Sequence, residues 1–258
     1  MSINDTTPRA KKESLPFWEL FKVQGKLALR EPASLVFGIA LPLILLLIFG
    51  NIPTFNEPVE GNSFTLFELY IPILMVTVLI FIGLLGLPIP LLRDREIGWL
   101  RRISTTPISP AKLLAAQALI NLILATLGFT ILIAGSTLIF GVELALDIPG
   151  FILSLVLATL VMFSLGLLIT SVAPSQSTGN GVTQGLLYPL LFFAGVYVPI
   201  QVLPSGLQTA ALFTPVGAAV KALNSSMTGS FPSFVPLIVM AAYAVVFSFV
   251  AIRYFRWE

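Results

Sequence analysis

Long apolar runs alternate with short polar segments along this chain of 258 residues. Six runs are of a length that can cross a bilayer as a helix, which takes about 17–25 residues. They cover residues 32–49, 67–92, 111–140, 149–172, 181–198 and 232–252. The pattern predicts an all-α, polytopic membrane protein with six transmembrane helices.

The uncharged stretch at residues 148–220 is too long for one helix and needs internal breaks. The polar segment 174–180 provides one break, between the fourth and fifth spans. Residues 207–227 are apolar but contain Pro215, Gly217 and Lys221. These residues predict a re-entrant or interfacial segment on the outer side, between spans five and six.

The N-terminal region divides into two parts. Residues 1–15 are polar and charged, which predicts a cytosolic tail, and no removable signal peptide is expected. Residues 16–31 place Leu20 and Phe21 on one helical face and Lys22 and Lys26 on the other. Basic residues opposite aromatic ones predict an amphipathic helix in the membrane interface; a helix packed on a soluble core is the alternative.

The composition excludes several classes of protein. Charged residues make up 10% of the chain and apolar residues 57%, whereas soluble domains carry about 25% charged residues. Residues 16–258 are therefore expected to form a single transmembrane domain. Histidine and cysteine are absent, and no glycine-rich phosphate loop occurs. We predict no catalytic residue, no metal site and no bound cofactor in this chain.

The distribution of basic residues predicts the orientation. In the six-span topology, 13 of the 14 Lys and Arg residues lie on the side of the two termini, and only Lys221 lies opposite. Cytosolic loops carry the excess of Lys and Arg, so both termini are expected in the cytosol.

A compact charged loop, RDREIGWLRRISTTPISP, occupies residues 93–110 between spans two and three. One charge in hydrocarbon costs about 3 kcal/mol, so the loop must lie in water or against a soluble partner. One interpretation is a docking surface, and the alternative is a solvated loop whose arginines only enforce orientation. Ser109 and Pro110 are typical of an N-cap and a first helical residue, where span three begins.

This loop resembles the first cytosolic loop of the ABC type-2 exporter permeases, which carries acidic and basic residues, Gly, an apolar residue, Arg and then Thr-Pro. The stretches FFAGVYVPIQVLP (192–204) and TPVGAAVKAL (214–223) are similar to its drug-export branch, the daunorubicin-type permeases. The resemblance implies a coupling helix that docks on a separate ATP-binding subunit, which would hold ATP and Mg. Its residues here would be Glu96, Gly98, Trp99, Leu100, Arg101 and Arg102.

The resemblance also implies a second permease, either another copy or a related chain, in a bacterial inner membrane. Polar and aromatic residues of spans three and five are candidates for a substrate path between the two. They are Gln117, Asn121, Thr183, Gln184, Tyr188, Phe192 and Tyr197. The alternatives are an ordinary packing face with interfacial aromatics and, for the amides, interhelical hydrogen bonds.

The function expected from these observations is export of a hydrophobic or amphiphilic compound, such as a drug or antibiotic. Export of a lipid-linked glycan or lipid is an alternative within the same family. An ATP-independent channel or carrier and an intramembrane enzyme are alternatives from other classes. No carboxylate lies in the middle of a span, which weighs against a proton-coupled carrier, and no nucleic-acid partner is expected.

Reporter fusions test the predicted orientation. A reporter fused after Ser104 or after Glu258 is expected to report the cytosol, and one fused after Glu60 the outside, because basic segments stay on the cytosolic side. The measurement compares phosphatase activity with fluorescence for each fusion point. A cytosolic signal after Glu60 would contradict the six-span topology.

Overall fold

The computed structural model describes residues 17–31, 35–58, 64–98 and 110–254. Within these ranges the regular structure is helical, and the only β-type pairings are isolated bridges. The helices are α1 (Phe17–Ala28), α2 (Leu41–Gly50), α3 (Leu66–Phe81), α4 (Pro88–Glu96), α5 (Pro110–Leu138), α6 (Ile148–Val172), α7 (Gln176–Ala194), α8 (Ser205–Leu212), α9 (Pro215–Met227) and α10 (Phe234–Tyr254). A π-helical turn at Val36–Ala40 precedes α2, and a second at Ile82–Gly86 joins α3 to α4.

Four helical segments are long and apolar enough to cross a membrane. They are Leu66–Glu96, Lys112–Leu138, Ile148–Val172 and Phe234–Tyr254. The helix Val36–Gly50 in the first predicted span is shorter, and α7 in the fifth has 19 residues of more polar character. The all-helical, multi-pass prediction is confirmed, and the count of six spans stays a prediction.

Helix α3 forms the centre of the bundle. Every residue of α3 from Leu69 to Phe81 is buried, as expected of a helix that is hydrophobic on all sides. Helices α2, α5, α6, α7 and α9 all contact it. A capping box begins α3: Thr65 Oγ1 accepts from the Glu68 amide (3.2 Å), and Glu68 Oε2 accepts from the Thr65 amide (3.1 Å).

Two glycines bring α6 against the π-helical turn below α3. A Cβ atom on Gly83 would lie 2.8 Å from the carbonyl oxygen of Met162, and a Cβ on Gly166 would overlap the carbonyl oxygen of Gly83. Small residues allow the backbones of membrane helices to approach closely. This crossing fixes α6 against the central helix.

Helix α1 packs along α5, and its apolar face is turned to the protein. Leu20 and Gln24 are buried, whereas Trp18 is 59% exposed. Lys22 Nζ lies 5.5 Å from the centre of the Trp18 ring. A helix is present at residues 17–28, and protein covers Leu20 and Gln24 on one of its faces. Its position in the membrane interface stays a prediction.

The fifth span begins and ends earlier than the sequence pattern predicted. Helix α7 starts at Gln176, so most of the predicted break at 174–180 is helical. Ser175 is the reason, because its hydroxyl accepts from the Thr178 amide at 3.1 Å and caps the helix. The helix stops at Ala194, since Gly195 adopts a left-handed conformation with φ of 88°.

The segment between α7 and α10 folds as two short helices. Helices α8 and α9 contain 8 and 13 residues. At about 1.5 Å per residue, neither can cross a hydrocarbon core of about 30 Å. Asp147, which caps α6, donates its amide to the Ser226 carbonyl at 2.8 Å, so α9 ends beside the start of α6. The re-entrant interpretation is compatible with these lengths and remains a prediction.

Replacement of Gly166 tests the close crossing. Gly166→Ala is expected to lower the free energy of unfolding by about 1–3 kcal/mol, because the new Cβ overlaps the Gly83 carbonyl oxygen. The measurement is the thermal unfolding midpoint of the purified protein in detergent. Gly185→Ala is the matched control, since a Cβ at that helical glycine meets nothing within 4 Å. An equal loss in both variants would contradict the crossing.

Candidate functional site

The last turn of α4 carries four consecutive charged residues, 93–96. The first of them, Arg93, binds α4 to the segment that follows α1. The Arg93 guanidinium forms a salt bridge with Glu31. Its Nε also lies 3.8 Å from Asp94 Oδ1. The end of α4 is therefore bound by a partly buried ion pair to the segment that follows the N-terminal helix.

Arg95 binds the C-terminal end of α6. Its guanidinium donates to the Thr170 carbonyl at 3.2 Å and to the Ala173 carbonyl. The last carbonyls of a helix lack partners within that helix and carry partial negative charge. The positive charge of Arg95 therefore complements the end that it contacts.

Glu96 binds the opposite kind of helix end. Its Oε1 accepts from the Gln176 amide, the first residue of α7, at 2.6 Å. The first amides of a helix are unpaired donors with partial positive charge, so a carboxylate suits them. Leu92 strengthens the contact because it packs against Gly179 with no space for a Cβ. The end of α4 thus holds both sides of the α6–α7 turn, and we call the Arg95 and Glu96 contacts the α4 clamp.

Two of the predicted coupling residues, Glu96 and Gly98, lie within the described residues. Glu96 is the last residue of the helix that continues span two, and its role in coupling stays a prediction. The helix stops because Gly98 adopts φ of 69° and donates its amide to the Arg95 carbonyl at 3.0 Å. Trp99, Leu100, Arg101 and Arg102 lie outside the described residues, as does the predicted cap at Ser109. Pro110 is the first residue of α5, as predicted.

Gln117 and Asn121 satisfy backbone carbonyls of the α3–α4 junction. Pro90 has no amide hydrogen to give to the Gly86 carbonyl, four residues earlier. The side-chain amides of Asn121 and Gln117 donate to that oxygen at 3.3 and 3.4 Å. Both side chains are buried, and they border a cavity of about 30 Å³. Their geometry is that of interhelical hydrogen bonding, the alternative that the sequence left open.

The remaining candidates for a substrate path do not share one face. Thr183 is completely buried, and its hydroxyl has no partner among the described residues. Gln184 and Tyr188 point outward from α7, and Phe192 is partly buried. Tyr197 lies beyond the end of the helix and is 55% exposed. The structure brings Gln184 and Tyr188 together and separates them from Gln117 and Asn121.

Sequence reasoning missed the binding roles of Arg93, Arg95 and Glu31. It treated the charged residues at 93–96 as part of a loop that lies in water or against a soluble partner. A signal was present, because Pro88 suits a helix start and the polar residues follow without a helix-breaking residue before Gly98. Their partners lie about 60 to 80 residues away and carry no local signal.

Comparison with known proteins gives a consistent result. The sequence model described as ABC-2 type transporter matches residues 16–228. The chain belongs to the ABC-2 type transporter family. Its helical, multi-pass fold agrees with that membership, which makes it a transport permease subunit rather than an enzyme.

Three relatives share the name of a transport permease. The chain is 29% identical over 221 residues to "Putative transport permease ycf38" of Pyropia yezoensis, covering 78% of this chain and 71% of that protein. It is 30% identical over 211 residues to the protein of the same name in Porphyra purpurea, covering 76% and 68%. The protein of that name in Cyanophora paradoxa is 29% identical over 213 residues, covering 77% and 70%.

Removal of the two buried amides tests their role in this ABC-2 permease. The double variant Gln117→Leu/Asn121→Leu is expected to lose about 1–3 kcal/mol of stability, because the Gly86 carbonyl oxygen then lacks both donors. Thermal unfolding in detergent measures the loss. Thr126→Val is the control on the same helix, since that exposed hydroxyl donates only to the Leu122 carbonyl at 2.8 Å. Wild-type stability in the double variant would show that the amides are dispensable.

Proposed function

We propose that this chain is the membrane subunit of an ATP-driven exporter with cytosolic termini in a bacterial inner membrane. A separate ATP-binding subunit, carrying ATP and Mg, docks on the segment at 93–110. Two permease subunits, identical or related, enclose the path of a hydrophobic or amphiphilic substrate. Family membership supports the pairing with an ATP-binding subunit, and the α4 clamp supports the coupling.

The α4 clamp is the observation that carries the proposal. Arg95 and Glu96 belong to the proposed docking segment at 93–110, and they bind the end of α6 and the start of α7. A movement of that segment would therefore displace two long helices, α6 and α7, together. Oppositely charged side chains on complementary helix ends resist separation better than a flexible loop would.

The outward face of α7 supports a second subunit. Asn180, Gln184 and Tyr188 are exposed on a helix of otherwise membrane-like length. No hydrogen-bond partner of the Asn180 or Gln184 side chain occurs in the part of the chain that the structure describes. Amide groups in lipid are unfavourable unless they find partners. A neighbouring permease or an aqueous path would provide those partners.

The chemistry of this face suits an amphiphilic substrate. The exposed ring of Tyr188 provides apolar area with a hydroxyl, and the Gln184 amide provides a donor and an acceptor. Binding sites for small organic molecules combine apolar surface with a few polar groups in this way. Drug-like compounds fit this description, and so does a lipid-linked glycan.

Two single variants test coupling. Trp99→Ala is expected to weaken copurification of the ATP-binding subunit, because truncation of an aromatic interface anchor commonly costs about 2 kcal/mol or more. Glu96→Ala is expected to preserve copurification but to lower substrate-stimulated ATP hydrolysis several-fold, because α7 loses its bond to α4. Neither variant removes a basic residue, so the orientation is preserved.

The measurements are ATPase activity of the reconstituted complex and the amount of ATP-binding subunit that copurifies. Glu57→Ala and Phe213→Ala are matched controls, which truncate an exposed carboxylate and an exposed aromatic ring away from the α4 clamp. If both test variants copurify the ATP-binding subunit and stimulate ATP hydrolysis as wild type does, residues 93–110 determine only the orientation of the chain. Transport without any ATP-binding subunit would favour a channel or carrier.

A further inference from the structure

A cavity of about 300 Å³ opens between α8, α9 and the turn Ile200–Val202. It lies at the end of the bundle opposite the α4 clamp, because α9 ends beside the start of α6 whereas Arg95 binds the end of α6. Sites for small organic ligands span about 300–1,000 Å³. The cavity can therefore hold a headgroup-sized ligand, and it includes no residue proposed above for coupling or for the substrate path.

Helix α8 contributes polar groups to this cavity. Ser205, Gln208 and Thr209 line it, and Leu212 of the same helix adds apolar surface. The site therefore combines hydroxyl and amide groups with hydrocarbon, as binding sites for small organic ligands do.

Lys221 brings a positive charge to the cavity. Helix α9 is buried along most of its length. Lys221 is exposed, although the residues directly before and after it are buried. The cavity lining contains no carboxylate, and no salt bridge of Lys221 occurs among the described residues. The ammonium group is thus available to an anion, with which it would form charge-assisted hydrogen bonds.

Gln201 presents an unpaired acceptor at the same site. Its side-chain oxygen is buried and has no donor among the residues that the structure describes. Gln208 holds the turn in place, because its Nε2 donates to the carbonyls of Gln201 (3.1 Å) and Leu203 (2.8 Å). Buried acceptors are normally paired, so this oxygen calls for a hydroxyl or ammonium donor from a ligand.

The rest of the lining is apolar. Ile200, Leu212 and Val220 contribute hydrocarbon surface beside the polar groups. A small inorganic anion would leave this surface in contact with water. An alkyl or acyl chain attached to the anion would cover it, which is favourable in proportion to the area removed from water.

We propose that this cavity binds the phosphate of an amphiphile, with Lys221 as the counter-ion. The Gln201 side-chain oxygen accepts a hydrogen bond from a hydroxyl of the headgroup, and the apolar residues contact the first part of the chain. Two sources carry this chemistry: a phospholipid of the surrounding membrane and a free alkyl phosphate that resembles a transported compound. The site does not depend on the ATP-driven cycle.

Binding of defined amphiphiles to the purified full chain in neutral detergent tests the proposal. The probe is fluorescent phosphatidylglycerol, and its anisotropy reports binding. The competitors are phosphatidylglycerol for the membrane source, dodecyl phosphate for the free source, diacylglycerol as a lipid without a phosphate, and inorganic phosphate as the anion alone. Phosphatidylglycerol or dodecyl phosphate is expected to compete best, and the stronger of the two identifies the source.

Three variants test whether binding requires the positive charge of Lys221. Lys221→Gln is expected to weaken binding of phosphatidylglycerol about tenfold, the lower range for loss of a hydrogen bond to a charged group. Lys221→Arg is expected to retain binding within about twofold, because it keeps the charge. Lys112→Gln is the matched control, since Lys112 is an exposed lysine near the start of α5. Gel-filtration profiles confirm that each variant is folded.

Each result decides the proposal. Loss in Lys221→Gln with retention in Lys221→Arg and Lys112→Gln supports it. Equal binding by Lys221→Gln and wild type overturns it, as does diacylglycerol that competes as well as phosphatidylglycerol. Inorganic phosphate that competes as well as dodecyl phosphate would overturn the amphiphilic part and leave a plain anion site.

Discussion

A backbone carbonyl inside a membrane needs a hydrogen-bond donor, and the rest of this bundle depends on how one such carbonyl is satisfied. The π-helical turn and Pro90 interrupt the central helix and leave the Gly86 oxygen without its helical partner. Side-chain amides of Gln117 and Asn121 from α5 donate to it. The amides of α5 thereby join that helix to the point where α3 passes into α4.

Beyond that joint, α4 uses its charges to hold other helices. Arg95 and Glu96 could not lie in hydrocarbon at acceptable cost, and their position at the helix end lets them serve as caps for neighbours. A charge that binds a helix terminus replaces water that the terminus would otherwise need. The charged segment therefore has a structural role in the bundle before any partner binds, and a partner that moves it must also move α6 and α7.

The two ends of the bundle differ in how their polar groups are paired. At the α4 clamp, side chains and helix termini satisfy one another. At the α8–α9 end, Lys221 forms no salt bridge and the buried Gln201 side-chain oxygen has no donor among the described residues, and both residues line an open cavity. Helix α7 connects these ends and turns amides outward between them. The first arrangement suits transmission of force, and the second suits contact with molecules from outside the chain.

The sequence alone determined the class of protein and most helix positions. Apolar run length, proline placement and the excess of basic residues act locally or along the chain, so they can be read without knowledge of contacts. Only the tertiary structure shows which helix ends Arg95 and Glu96 bind and which carbonyl Asn121 satisfies. It also shows that the close helix crossing leaves no space for a side chain at position 166. The hydrogen bonds among these contacts join residues that are 35 to 80 positions apart in the chain. A polar residue or a glycine shows in the sequence that it needs a partner or a close approach, but only packing supplies the partner.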